Sequence, residues 1–279
     1  MTRIALVTGA GRGVGKGIAT ALGAAGWTVY VTGRGEPGSD GPLDRTVAEI
    51  GERGGTGIAL RCDHRDDAMI AEVFARIAGD RDGRLDLLVN NVWSNPDGFT
   101  GFAEPCWQRP LDDWDSLIGV GLRAHYVAAV HAARLMVARG SGVIANISSF
   151  GTRGYLHSVL YGMSKAGLDK MAFDLAVELR GTGVTTLSLW PGVVRTEKVL
   201  ALGVDDIEGF PIAHAETPEF VGRVVAALAA DPQIGARSGQ TIITAEAAVD
   251  YGITDIDGGQ PPSHRAAFGG GPIFGADIR

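Results

Sequence analysis

An α/β, doubly wound fold with a mostly seven-stranded parallel sheet is predicted by three observations. Short β-type runs alternate along the chain with helical patterns, the order that a parallel sheet wrapped by helices requires. The first apolar run, Ile4-Ala-Leu-Val7, ends in a glycine-rich turn, Thr8-Gly-Ala-Gly-Arg-Gly-Val-Gly15, that leads into a helical pattern. Hydrophobic residues make up 45% of the 279, enough for one large core.

Apolar β-type runs place strands at 3–8, 28–33, 57–62, 85–90, 142–149, 184–190 and 240–244. Helical patterns between them place helices at 13–25, 43–53, 66–79, 112–138, 159–180 and 217–230. No linker and no internal repeat interrupts this order, so residues 1–279 are read as a single domain. Three stretches break the alternation. Residues 92–111 form a long connection carrying Trp93, Phe99, Phe102 and Trp107. Residues 195–216 follow the sixth strand without a clear period. Residues 258–279 are rich in Gly and Pro and read as a loose or partner-contacting tail.

The net charge of −7 argues against nucleic acid as a main partner. Cys62 and Cys106 are the two cysteines; they are far apart and lack metal-ligand spacing, so no metal site is expected and both thiols are read as reduced, in a cytoplasmic protein. Met-Thr-Arg runs straight into the first strand, so no secretory leader is expected, and no apolar run approaches the length of a membrane span.

The chemistry concentrates at two places. At the first, glycines after the first strand let the backbone approach a pyrophosphate, whose charge the helix N-terminus stabilises. The spacing is T-G-x-x-x-G-x-G, set by Thr8, Gly9, Gly13 and Gly15. A purely structural turn is the competing reading. Where a site for NAD ends its second strand in an acid, this chain has Gly33 followed by Arg34. A guanidinium suits a 2′-phosphate, and Arg12 adds a second cation, so NADP(H) is expected over NAD(H). Asp63 at the end of the third strand either accepts a hydrogen bond from the adenine amine or caps a helix. At the second place, Tyr161-Gly-Met-Ser-Lys165 sets a phenol and an ammonium on one helical face. A nearby positive charge favours the phenolate form, which tunes such a group for proton exchange with a carbonyl or alcohol oxygen.

Taken with Asp63, Asn90-Asn91, Ser148-Ser149, Pro191-Gly192 and Thr196, these residues resemble the short-chain dehydrogenase/reductase (SDR) family over roughly residues 3–260. Gly121-Leu-Arg-Ala-His-Tyr126, Ala133-Arg-Leu-Met-Val137, Ser188-Leu-Trp-Pro-Gly192 and Tyr251-Gly-Ile-Thr-Asp-Ile-Asp-Gly258 place the likeness in one branch of it. The resemblance implies a single-domain Rossmann-like fold. It implies that Tyr161 is the general acid in reduction and that Lys165 supports it and contacts the nicotinamide ribose. It gives a serine after the fifth strand the task of binding the substrate carbonyl. Strand alternation favours Ser149, with Ser148 left as the alternative. Cofactor contacts are carried onto Thr8, Gly9, Gly11, Arg12, Gly13, Val14, Gly15, Arg34, Asp63, Asn90, Tyr161, Lys165, Pro191, Gly192, Val194 and Thr196.

Two positions depart from the family pattern. Gly121 stands where an asparagine usually helps hold a proton-relay water; a helical glycine also costs about 1 kcal/mol relative to Ala. Asn90-Asn-Val-Trp93 replaces the commoner Asn-Asn-Ala-Gly, putting bulk beside the cofactor and substrate.

Ligands in open α/β sheets bind beyond the carboxyl ends of the strands, so loops 92–111, 150–158 and 195–216 form the substrate end. Trp93, Phe150 and Tyr155 are assigned to the substrate pocket, with Phe99, Phe102, Trp107 and Phe210 nearby. A bulky or flat apolar carbonyl compound fits such a lining; packing of the loops on their own domain is the alternative. Arg153, His157 and Arg195 are nearby candidate cations. The expected protein is an NADP(H)-dependent carbonyl reductase or alcohol dehydrogenase, with a non-redox epimerase or dehydratase of the same fold, or a non-catalytic nicotinamide sensor, as competitors. It is expected to be a homodimer or homotetramer joined through helices 112–138 and 159–180, with Ala128, Ala132, Ala166 and Ala176 admitting a neighbouring subunit's helices and the tail reaching that neighbour's substrate loops.

Overall fold

The computed structural model describes residues 2–94, 104–207 and 209–275. Ile4–Val7 (β1) is buried at every position, as a central parallel strand covered on both faces must be. In chain order there follow Gly13–Ala24 (α1), Thr28–Gly33 (β2), Pro42–Glu52 (α2), Thr56–Arg61 (β3), Asp67–Asp80 (α3), Leu87–Asn90 (β4), Ala124–Arg139 (α4), Gly142–Ile147 (β5), Val159–Glu178 (α5), Val184–Trp190 (β6), Glu197–Leu200 (α6), Asp206–Ile207 (β7), Phe210–Pro211 (β8), Pro218–Ala230 (α7), Thr241–Ile243 (β9), Thr244–Asp250 (α8) and Arg265–Phe268 (α9).

Seven strands form one parallel sheet in the order β3-β2-β1-β4-β5-β6-β9. The order reverses between β1 and β4, and the crevice beyond the strand ends there is where such sheets take ligands. One apolar core, with Ile18, Leu22, Val224 and Leu228, lies under α1 and α7 on one face. The other, with Phe74, Ile77, Ala128 and Met136, lies under α3 and α4. Fully burying a side chain of this size contributes about 1.5–3 kcal/mol, so both helical layers are held mainly by this contact.

Five expectations are corrected. The long helix expected at 112–138 is two helices end to end: Asp115–Arg123 is wound as a π-helix before α4 begins, and Gly121 lies within the π segment. The irregular 195–216 stretch contains α6 and the β7–β8 antiparallel ribbon. The last strand stops at Ile243, and the chain turns directly into α8. The tail, described as far as Gly275, folds back on its own chain: Phe268 packs on Phe150 and Phe210, and Phe274 on Phe173. Apolar ring contact orders a segment that its Gly-Pro composition left unassigned. Ala128 and Ala132 are buried in the chain's own core, so they are not available to a neighbouring subunit. Among the described residues no helix is long and apolar enough to cross a membrane.

Candidate active site

The glycine turn between β1 and α1 has no room for side chains. Gly9 has φ +66°, and a Cβ on Gly15 would lie 2.5 Å from the Gly9 carbonyl oxygen. Asn91 holds the turn, donating from Nδ2 to the Thr8 and Gly9 carbonyls at 2.9 and 3.2 Å. Thr8 is buried; its Oγ1 accepts from the backbone N–H groups of Asn91 and Val92, so its side chain serves the turn itself. At the start of α1, Gly13 N–H donates to Glu197 Oε2 at 3.0 Å. A carboxylate thus already rests on the first turn of α1, where an anion is stabilised.

Beside this turn lies a cavity of about 290 Å³ lined by Gly9, Gly11, Arg12, Gly33, Arg34, Asp63, Arg65 and Trp93. Arg65 was not foreseen. Its guanidinium holds both oxygens of Asp63, at 3.2 and 3.0 Å, which keeps that carboxyl below its ordinary range. Asp63 does not cap α3; Asp66 does, accepting from Ala68 N and Met69 N. Arg12, Arg34 and Arg65 thus all line this cavity. The glycine turn with Arg12 and Arg34 beside it fits a dinucleotide's anionic pyrophosphate, which at Gly13 N–H would take the place of the Glu197 carboxylate. Asn90 is fully buried and lines none of these cavities; its Nδ2 donates to the His125 carbonyl and to Asn146 Oδ1 at 3.1 and 3.0 Å, tying β4 to β5 and α4.

The groove continues into a second cavity of about 290 Å³ that shares Gly9, Arg12 and Trp93 with the first. Val14, Ser149, Tyr161, Lys165, Pro191, Gly192, Val194 and Thr196 line it. Ser158 caps α5 by accepting from Tyr161 N. Tyr161 Oη donates to Ser149 Oγ at 2.8 Å, and Gly151 N–H donates to the same oxygen at 3.0 Å. Both lone pairs of Ser149 Oγ are thereby engaged, leaving its O–H as a donor. Ser148 turns to the opposite side and donates to the Lys165 carbonyl at 3.1 Å. Gly151 must be glycine for space, since a Cβ there would lie 2.6 Å from Tyr161 Cε1.

Lys165 is buried. Its Nζ donates to the Ile147 carbonyl at 3.0 Å and lies 5.6 Å from the centre of the Tyr161 ring. Burial pushes its pKa down to about 8, against the opposing pull of Asp169. The T-shaped neighbours of Tyr161 are Trp93, at 6.2 Å between centroids, and His157, at 4.6 Å. His157 has φ +63°, a strained value for a non-glycine residue. Burial pushes its pKa down to about 4, so it is neutral near pH 7 and is not the cation that sequence allowed. Arg195 is likewise committed, to Asp255 and Asp257. At Gly121 a Cβ would sit 3.4 Å from Trp93 Cδ1, so the indole flanks the place of the missing amide.

A third cavity, of about 250 Å³, shares Ser149, Tyr161, Gly192 and Thr196 with the second. Phe150, Leu156, Ile207, Phe210, His264 and Phe268 complete its walls. His264 stands edge-on to Phe150 and Phe210 at 5.7 and 4.2 Å, and its Nε2 accepts from Val193 N–H at 3.3 Å. Neither tail residue was foreseen: a histidine and a phenylalanine four apart carry no recognisable signal. Tyr155 lies elsewhere. It is 74% exposed and lines a separate cleft with Cys106, Trp114 and Val159, because the chain turns outward after Thr152. Trp107 is exposed, and Phe99 and Phe102 fall outside the described residues.

The family model described as short chain dehydrogenase matches residues 3–203. Dehydrogenase/reductase SDR family member 1 of Homo sapiens is 39% identical over 269 residues, covering 92% of this chain and 84% of that protein. A 3-oxoacyl-[acyl-carrier-protein] reductase of Synechocystis sp. is 32% identical, covering 86% of this chain and 94% of that protein. The crystal structure of a metagenomic short-chain oxidoreductase in complex with NADP superposes with a TM-score of 0.69 at 30% identity, covering 86% of this chain and 94% of that one.

Proposed function

This chain belongs to the short-chain dehydrogenase family of oxidoreductases, and on that premise we propose that it is an NADP(H)-dependent carbonyl reductase or alcohol dehydrogenase for bulky, uncharged, apolar compounds. The observation that carries the reading is the contact between Tyr161 Oη and Ser149 Oγ, with the buried Lys165 on the next turn of the same helix. In reduction, Ser149 orients the substrate oxygen with its free O–H while Tyr161 delivers the proton. Lys165 supplies the adjacent positive charge that stabilises the phenolate left behind. The nicotinamide, when bound, supplies the hydride. Gly9, Gly11, Arg12, Gly13, Val14 and Gly15 would hold the pyrophosphate end, and Pro191, Gly192, Val194 and Thr196 the nicotinamide end. Arg34, with Arg12 and Arg65, supports NADP(H) over NAD(H).

The third cavity supports the substrate class. It is walled by Phe150, Phe210, Phe268 and Leu156, and among the described residues neither a carboxylate nor a guanidinium lines it. Burial holds both of its histidines, His157 and His264, below the ordinary imidazole range, so the walls are neutral near pH 7. Desolvating a charged substrate there would go unpaid by any opposite charge. Single-turnover transfer from 4-deuterated NADPH to neutral aromatic ketones and to short carboxylate ketones tests this. Transfer to the former and not the latter is expected; cofactor binding without transfer to any carbonyl would return the sensor reading.

We also propose a cytoplasmic homodimer or homotetramer. Tyr126 and Val137 on α4 and Met163 on α5 are exposed apolar side chains that a second subunit would cover. Light scattering giving the mass of one 29.0 kDa chain would end that proposal.

A further inference from the structure

Asp169 takes no part in the chemistry above, yet it is completely buried one helical turn beyond Lys165 on α5. Its oxygens collect donors from two other segments. Oδ1 accepts from the Ser188 hydroxyl and, at 3.1 Å, from Trp190 Nε1. Oδ2 accepts from Thr152 Oγ1 at 2.7 Å and from Trp190 Nε1 at 3.1 Å. A buried carboxylate is a costly way to fill a core, and burial raises its pKa against these hydrogen bonds. Its partners' positions explain its presence. Thr152 closes the short 3-10 turn 150–152, whose N-cap is Ser149. Trp190 ends β6, just before Pro191-Gly192, and packs on Phe150 with ring centroids 4.9 Å apart at a 56° tilt. One side chain therefore joins the helix of Tyr161 and Lys165, the turn of Ser149, and the strand end that leads into the nicotinamide loop.

We propose that Asp169 is a positioning residue: through Thr152 it holds Ser149 Oγ in reach of Tyr161 Oη, and through Trp190 it fixes the Phe150 wall of the substrate cavity. This rests on the reading of Ser149, Tyr161 and Lys165 as the reacting groups. An indole N–H can only donate and therefore needs an acceptor opposite it. Trp190 Nε1 faces both Asp169 oxygens at 3.1 Å, so an apolar residue removes both acceptors and an amide keeps one while setting its N–H against the indole. Misplacing a reacting group by a fraction of an ångström lowers the rate while leaving ligand binding largely intact.

Two substitutions separate this from a merely structural role. Thr152→Val deletes only the hydroxyl linking the Ser149 turn to Asp169, whereas Thr152→Ser retains it. Thr152→Val is expected to lower kcat about tenfold or more with the NADPH Kd and carbonyl KM within about twofold of wild type, and Thr152→Ser to restore most of the rate. Asp169→Asn sets an amide N–H against the Trp190 N–H and is expected to lower kcat about 10²-fold. A folded Thr152→Val enzyme with wild-type kcat overturns the proposal, as does a Thr152→Ser enzyme no better than Thr152→Val. Failure of Asp169→Asn to fold leaves the Thr152 pair to decide. If the wild-type chain transferred no hydride to any carbonyl, the functional reading would fall instead. The crystal structure of Thr152→Val would then decide the positioning role, because a Ser149 Oγ–Tyr161 Oη separation still at 2.8 Å would overturn it.

Discussion

The cofactor half and the substrate half of the groove are built in different ways. The cofactor half draws on short contiguous runs, each at the end of one strand: Thr8–Gly15 after β1, Gly33-Arg34 at β2, and Asp63 to Arg65 after β3. It is polar and ringed by arginines. The proposed substrate half is assembled mostly from side chains between Ser149 and Phe268, with Val14 of α1, spread over a 3-10 turn, α5, the loop 191–196, the β7–β8 ribbon and the tail. Among the described residues it is aromatic and lacks Asp, Glu, Lys and Arg. The two halves meet at Tyr161, Ser149 and Gly192. In the proposed function, cofactor binding would thus rest on backbone and fixed charge, and substrate choice on contacts between distant segments, many of them beyond residue 203, where the family match ends.

Changing the meeting point should have the largest effect. Tyr161→Phe is expected to bind NADPH normally, by fluorescence titration, and to lose carbonyl reduction by about 10²-fold or more. Near-normal turnover would remove the tyrosine from the reaction. Next comes the cofactor half alone. Gly33→Asp combined with Arg34→Ser should weaken NADPH relative to NADH by about 1.5–3 kcal/mol, roughly 10- to 150-fold, in the ratio of kcat/KM values. The new Cβ would meet the Leu43 side chain at 3.2 Å, a contact that leucine can relax. A wild-type enzyme that already prefers NADH would break the assigned contrast between the halves.

A pH profile reaches the shared lysine. Burial depresses the Lys165 pKa to about 8, so its ammonium is present below that pH and lost above it. The kcat/KM for reduction should therefore fall as pH rises through about 8, and Lys165→Arg, whose guanidinium stays charged, should abolish that limb even if its overall rate is low. A flat profile to pH 10 would separate the lysine charge from catalysis. The smallest effect is expected in the substrate half. Phe268→Ala should raise KM for bulky aromatic ketones about three- to tenfold, the scale of one lost ring contact. It should leave the NADPH Kd and the KM for a small ketone such as acetone unmoved. Equal losses for both ketones would show the tail supporting the fold rather than selecting the substrate.

Where periodicity and turn chemistry are local, the chain was readable. The seven parallel strands lie within a few residues of their expected places, and the glycine turn stands where β1 meets α1. Other features were hidden for physical reasons. The nine residues Asp115–Arg123 make only about two turns, too few for their apolar spacing to separate i→i+5 from i→i+4 winding. α8 follows β9 without any turn residue between Ile243 and Thr244, so the strand pattern swallows its start. Arg65 drew no assignment from the sequence because its partner Asp63 was read alone. The Ser148–Ser149 choice rests on alternation across a pleat, and the side chains divide accordingly: Ser149 towards Tyr161, Ser148 towards the Lys165 carbonyl.

The sequence by itself determined the fold class, the family resemblance, the phosphate-type turn and the pairing of Tyr161 with Lys165. Each depends on backbone geometry over a few neighbouring residues, where chemistry and spacing translate directly into position. Only the tertiary structure decided that Asp169 gathers Thr152, Ser188 and Trp190, that burial lowers the pKa of His157 and His264, and that the chain's own tail walls the third cavity. Those outcomes depend on which distant segments are brought together and how far water is excluded between them, and neither quantity is carried by residue order alone.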